Sequence, residues 1–386
     1  MINVGIYLAT EQNGGGTYQY NLSVICALKA LDKKEYKLTA FFHSGNWSKH
    51  LSDDFTLVVK RRSLLHKISG RLFAMVNKNP DVSRVFATYF NPIIKKINNS
   101  NCDIVIYPSQ DAVSYQTKKK SLSTIHDLMH RYESHFEEYQ NGEYDVREQH
   151  YKMMCKYANG ILVDSNIGKQ HVVESYNVDK SKVFVLPFVP PYYLLDANIE
   201  NVKIKYDLPD KYFFYPAQFW EHKNHINLLN AVKILKDRNI EVNLVLVGSK
   251  KNNYNKIIKR IEELQVSNFV HILGYVSNDD MASLYKNAIA TTFVSLIGPT
   301  NIPPLEAMIL GCPLICSNAY AMPEQVGNAA LLIDPMNPND IAEKMYQIIS
   351  DKVLVKKCVE RGNELIKLYG QNEFSVKLES YIKKCL

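Results

Sequence analysis
The stretch VSLIGPTNIPPLEAMILGCPLIC, Val294 to Cys316, sets the reading of the whole chain. Its apolar start reads as a buried strand, and the run breaks at Gly298-Pro299. A helix is expected to restart near Pro304, because a proline in the first turn gives up an N–H that has no partner there anyway. The backbone amides of Thr300, Asn301 and Ile302 then fall at the open end of that helix, where unpaired donors and partial positive charge favour an anion. Glu306 is expected in the first turn, within reach of a sugar hydroxyl. Strand, turn, amides and one carboxylate suit the phosphates and ribose of a nucleotide. The same residues also suit an ordinary strand-to-helix loop in which Glu306 complements the helix dipole.

Outward from this stretch the chain alternates strands and helices. INVGIYL (Ile2–Leu8) reads as a buried strand, followed by the loop TEQNGGG and a helix from about Thr17 to Leu31. Further strands are expected at Tyr36–Phe42, Ile104–Tyr107, Leu122–Ile125, Gly160–Val163 and Val183–Leu186. Pro187, Pro190 and Pro191 in LPFVPPYYL interrupt the series, since proline does not sit inside regular elements. A second series then runs through Tyr212–Tyr215, Val242–Val247, Val270–Ile272, Ala290–Val294, Leu314–Cys316 and Ala330–Ile333, with a helical end from Pro338. Continuous Ile/Val/Leu strands between helices indicate parallel sheets covered on both faces. The expected architecture is α/β, two doubly wound parallel-sheet domains facing a cleft, with ligands outside the carboxyl ends of the strands.

The chain of 386 residues is long enough for two cores. No apolar run is long enough to span a bilayer. The start lacks the cationic segment and cleavage site of a signal peptide, so a cytoplasmic protein is expected. Seven dispersed cysteines without a CxxC pair read as buried thiols in a reducing compartment, with no zinc site. The net charge of +7 is uneven: residues 60–120 hold twelve Lys/Arg against three Asp. Within that zone KRRSLLHKISGRLFAMVNK, Lys60–Lys78, places Leu64, Leu65, Ile68, Leu72, Met75 and Val76 on about one helical face framed by cations. Such a helix either meets an anionic membrane or substrate, or packs on its own domain with a solvated basic face. No nucleic-acid motif accompanies the charge, so no nucleic-acid partner is expected.

Candidate ligands lie at the ends of the strands. Gly14-Gly15-Gly16 follows the first strand and precedes a helix, where amides can approach a bound group. It is not GxGxxG, and the second strand ends in Phe42-His43-Ser44 without an acid for a ribose, which speaks against a dinucleotide. His126-Asp127 follows another strand; the pair is either a site element or a turn with Asp127 as its cap. His130 and His135 show no metal-ligand spacing. In the second series Lys223 lies in the loop after the first strand, either a point charge for a diphosphate or a helix-flanking surface lysine.

Taken together, these segments resemble the retaining glycosyltransferases of family four, with the GT-B fold of two Rossmann-like domains. The resemblance covers essentially the whole chain. NGGGTYQYNLS is similar to the family's glycine-rich loop, TIHDLMHRYESHF to its HD segment, and ILVDSNIGKQHVVESY to the strand–Ser–helix that follows. FYPAQFWEHKNHINLLNA resembles the phosphate-lysine segment, VLVGSK with Gly248 and ILGYVSNDDMASLYKNA the nucleotide-side strands. GPTNIPPLEAMILGCPLICSN and MPEQVGNAALLIDP complete the set, closest to the branch that assembles bacterial surface polysaccharides such as O-antigen.

What the resemblance implies can be stated residue by residue. Lys223, with amides at Thr300 and Asn301 beside Gly298-Pro299, would bind the donor diphosphate, and Glu306 would hold the ribose. Tyr275 and Val276 would meet the nucleobase. His126 would lie beside the transferred sugar, with Asp127 next to it, and Gly15-Gly16 near the phosphates. Two positions depart from the pattern: Gly298 replaces the first glutamate of E-x7-E, and Gln218 stands where an arginine is usual. Asp127 and Glu324 are the nearest carboxylates to a nucleophile role, although same-face substitution without metal is the implied mechanism. The implied donor is a GDP- or UDP-linked sugar, used as substrate with no further cofactor. The implied acceptor is a saccharide or lipid-linked saccharide. The implied domains are 1–190 on the acceptor side and 191–367 for the nucleotide sugar, with a C-terminal helix over 368–386 returning to the first. A protein of this fold that binds nucleotide sugars with weak or no turnover is the alternative.

Overall fold
A computed structural model of the chain describes residues 1–11, 14–43, 45–51, 53–60, 80–194 and 196–386. Of the basic zone Lys60–Lys78, only Lys60 falls among them, so the expected amphipathic helix lies outside the described residues. The chain divides into two units. The first comprises residues 1–134, 138–188 and 371–386; the second comprises 135–137 and 189–370.

The first unit is built on seven parallel strands: β1 (Ile2–Leu8), β2 (Tyr36–Phe42), β3 (Phe55–Val59), β4 (Ile104–Tyr107), β5 (Lys120–Thr124), β6 (Gly160–Val163) and β7 (Val183–Val185). Their order is β3-β2-β1-β4-β5-β6-β7. Side chains of β4 and β6 are buried along their whole length, as expected of strands covered on both faces. β3 was not expected from the sequence; it is an edge strand, and three of its five residues are exposed. Helix Gln371–Cys385 belongs to this unit and buries Phe374, Leu378, Ile382 and Cys385. The Phe374 ring meets Tyr20 of helix Gly16–Lys29 edge-on, with centroids 5.7 Å apart, and Gln371 donates to the Ser23 carbonyl at 2.9 Å.

The second unit carries six parallel strands: β8 (Phe213–Pro216), β9 (Leu244–Val247), β10 (Val270–Gly274), β11 (Ala290–Phe293), β12 (Leu314–Ser317) and β13 (Ala330–Ile333). The order is β10-β9-β8-β11-β12-β13. The direction of winding reverses between β8 and β11, so the loops leaving their carboxyl ends diverge to opposite faces and open a crevice. Lys223 follows β8, and Thr300-Asn301 follow β11. The corresponding reversal in the first sheet falls between β1 and β4. There the two departing loops touch through the hydroxyls of Thr10 and Ser109, 2.6 Å apart.

Candidate active site
The loops after β8 and β11 are fastened to each other before any ligand is considered. Asn224, in the left-handed conformation at φ 60°, donates through its side chain to the carbonyls of Val294 at 3.1 Å and Pro335 at 2.7 Å. The Leu296 amide donates to the His222 carbonyl at 2.8 Å. Lys223 sits in the one-turn helix Glu221–Lys223 between these fixed points. Its ammonium donates to Asn301 Oδ1 at 3.1 Å and Ser295 Oγ at 3.4 Å, and lies 5.4 Å from the centroid of the Phe293 ring. A lysine so held presents its charge at the start of helix Ile302–Ile309.

That helix start differs from the expectation in two respects. The Asn301 amide is not open: it donates to Gln325 Oε1 at 3.0 Å, while Gln325 Nε2 returns a bond to the Asn301 carbonyl at 2.6 Å. Pro303 and Pro304 follow and have no N–H at all, so the donors left at this end are those of Thr300 and Ile302. The Thr300 hydroxyl is buried without a partner among the described residues, a polar group that a ligand atom could satisfy.

Glu306 lies beyond the first turn, contrary to expectation, since the helix begins at Ile302. It is also buried and already engaged. Tyr193 donates to Oε1 at 2.8 Å and Tyr285 to Oε2 at 2.7 Å. Burial raises the Glu306 carboxyl above its ordinary range, and the two phenols hold it down only in part. Each carboxylate oxygen keeps a second lone pair, so a ribose would share the group with the tyrosines.

Gly298 has φ 140°, a region that disfavours side chains, and a Cβ built there would run into the side-chain amide of Asn301. A glutamate here would therefore strain the backbone and displace the Asn301 side chain. Gln218 accepts a bond from the indole of Trp220 at 2.9 Å. Gly248 follows β9 directly and donates its amide to the Gly274 carbonyl at 2.9 Å. Tyr275 is 87% exposed and Val276 is buried. Pro299 is buried between Gly298 and Thr300.

In the first unit Gly15 occupies the N-cap of helix Gly16–Lys29 with φ 57°, and Gly16 is the first helical residue. His126 is buried, and its partner is Asp164 rather than the adjacent Asp127. Its Nδ1 lies 3.1 Å from Asp164 Oδ2. Burial is the largest influence on His126 and opposes its charge, yet Asp164, joined by Asp127 and the Pro108 backbone, raises the imidazole above its ordinary value. The ring stacks on Phe188 and meets Tyr20 edge-on. Asp127 instead accepts the Met129 amide at 3.0 Å and so caps its turn. Glu324 lies in the first turn of helix Met322–Val326.

Asp164, Tyr193, Tyr285, Ser295 and Gln325 were not expected from the sequence. ILVDSN placed Asp164 at a strand end, the position from which a carboxylate can reach a neighbouring loop. Nothing in the spacing of the two tyrosines linked them to Glu306.

Comparisons with known proteins place this geometry in context. The fold over 99% of the chain is similar to that of a glycosyltransferase from Rickettsia africae, at 22% identity, a TM-score of 0.73 and 98% coverage of that chain. It is also similar to Alr3699/HepE of Anabaena, solved in complex with UDP and glucose, at 13% identity, a TM-score of 0.73, and 99% and 100% coverage of the two chains. Two Rossmann-like parallel-sheet domains with these neighbours define the GT-B fold. Residues 197–365 match the family described as glycosyl transferases group 1. Over 219 residues it is 26% identical to the O-antigen chain mannosyltransferase RfbU of Salmonella typhimurium, which covers 56% of this chain and 58% of that protein. The chain thus spans little more than half the length of RfbU and of the O-antigen chain mannosyltransferase B of Escherichia coli.

Proposed function
We propose that the protein is a retaining glycosyltransferase. It moves a hexose from a GDP- or UDP-linked donor to a saccharide or lipid-linked saccharide acceptor in cell-surface polysaccharide assembly. The observation that carries this reading is the convergence of Lys223, the Thr300 hydroxyl and the start of helix Ile302–Ile309 at the switch point of the second sheet. Breaking the sugar–phosphate bond builds negative charge on the departing diphosphate, and donors fixed in advance around it lower the barrier. Same-face substitution follows, with the leaving phosphate accepting the proton of the acceptor hydroxyl. Lys223 and the helix start supply the positive field, so no divalent ion is given a part. Because RfbU is named a mannosyltransferase, mannose is the first sugar to test. The reading places the enzyme at the cytoplasmic face of the membrane, with the basic zone Lys60–Lys78 against anionic lipid.

The test is turnover with a panel of GDP- and UDP-sugars, with and without EDTA, and analysis of the product's anomeric configuration. Retention in EDTA is expected. Binding without turnover on any donor would favour the alternative of a nucleotide-sugar-binding protein, to which the loss of a carboxylate at Gly298 points.

A further inference from the structure
The free edge of the first sheet borders a cavity of about 620 Å³. β7 forms one wall; Asn166, Lys169, Lys180, Ser181, Tyr381 and Lys384 form the rest. Lys169 and Asn166 come from the first turn of helix Asn166–Tyr176, whose Ser165 cap bonds the Gly168 amide at 3.0 Å. Lys180 comes from the one-turn helix Lys180–Lys182. Lys384 comes from helix Gln371–Cys385, and its ammonium stands 5.9 Å and 5.7 Å from the ring centroids of Phe184 and Tyr381. Those two rings stack at 4.7 Å and give the lysine stem a rigid support.

Three ammonium groups therefore converge from three separate elements on one concavity. None of the three forms an ion pair with a carboxylate among the described residues. Asp179, beside Lys180 in sequence, is committed to its own turn, accepting the Ser181 amide at 2.9 Å. Lys169 is pushed below its ordinary value by burial and by the charges of Lys180 and Lys384. Like charges gathered in this way are relieved by an anion, and the positive end of helix Asn166–Tyr176 adds to the field.

We propose that this pocket binds a phosphate-bearing ligand, either free phosphate or the phosphate of a lipid headgroup, through Lys169, Lys180 and Lys384. The site is independent of the donor reading, since it is tested by binding and not by turnover. The variant Lys169→Gln/Lys180→Gln/Lys384→Gln is made in the full chain, with Lys384→Gln alone as a milder form. Removing mutually repelling charges is expected to leave the thermal midpoint unchanged or higher in phosphate-free buffer.

Two probes are then applied: inorganic phosphate by calorimetry, and flotation with phosphatidylglycerol vesicles against phosphatidylcholine vesicles. Phosphate binding that weakens about tenfold or more in the triple variant supports the site with free phosphate as its source. Partition into phosphatidylglycerol vesicles that falls about tenfold, without phosphate binding, supports it with the headgroup as its source. The zone Lys60–Lys78 is the same in both proteins and cancels from the comparison. Native protein and triple variant behaving alike with both probes would overturn the proposal.

Discussion
The Lys223 ammonium lies 3.1 Å from Asn301 Oδ1, and the two residues are 78 positions apart. The acceptor is a neutral amide oxygen. A diphosphate oxygen carries charge and makes the stronger partner, so the lysine can pass from the amide to a ligand at a gain.

Lys223→Ala is expected to lower kcat/KM by about two orders of magnitude, ~3 kcal/mol, with the fold retained. The lysine is only half-buried, so its loss should move the thermal midpoint little. Steady-state kinetics with the best donor decide the matter, and near-native turnover would return Lys223 to a structural role.

Restoring the missing family residue should harm the protein. Gly298→Glu forces a side chain at φ 140° and against Asn301, so a loss of about 1–3 kcal/mol is expected in urea unfolding, with no gain in turnover. Asn301→Gly in the same chain should recover part of the stability by clearing the space. A Gly298→Glu protein as stable as the native one would show that the loop rearranges freely.

For Glu306 the expectation concerns both nucleotide and pH. Glu306→Gln should weaken a nucleoside diphosphate by roughly 1.5–3 kcal/mol in calorimetry, the scale of a hydrogen bond to a charged group. The folded protein raises this carboxyl above its unfolded value, so burying the charge costs stability at neutral pH. That cost is relieved as pH falls through the raised value toward 4.5, because the folded state then holds the extra proton. The native protein should therefore gain on Glu306→Gln over that interval. A difference independent of pH would contradict the assignment.

Asp164→Asn should lower the titration midpoint of His126, followed through its imidazole resonances. Burial alone pushes the ring down, and Asp164 is the main group pushing it up. Because the folded value is raised, the stability from protonating His126 is fully present below 6.5 and is lost as pH rises through the folded value. The stability gap between native and variant should narrow across that rise. An unmoved midpoint would show that another group holds the charge.

Much of the two sheets was legible in advance because parallel strands covered on both faces must be apolar along their length, as IVIY in β4 and LVLV in β9 are. FTLVV in β3 has the β-branched and apolar residues of a strand, but it is short and its edge position leaves three of its five residues exposed. The meeting of Lys223 with the helix start could be read from loop order, since both follow strands that flank the switch point. The pairing of His126 with Asp164 could not, because it depends on β5 and β6 lying side by side. Tyr193 and Glu306 are 113 residues apart, and only packing joins them. The departure at Gly298 was visible as a letter, whereas its backbone at φ 140° and its closeness to Asn301 were not.

Helix Gln371–Cys385 has a consequence for how the chain is made. It covers helix Gly16–Lys29 and supplies Phe374, Leu378 and Ile382 to the first unit, although residues 189–370 are translated in between. A nascent chain emerging from the ribosome can assemble the first sheet early, with Tyr20 against His126 and Phe188, but the Phe374 contact waits until the segment beyond residue 370 is made. Over that interval an apolar strip stands open to chaperones and to other copies of the chain. Protection of helix Gly16–Lys29 against hydrogen exchange should then appear late, in step with helix Gln371–Cys385.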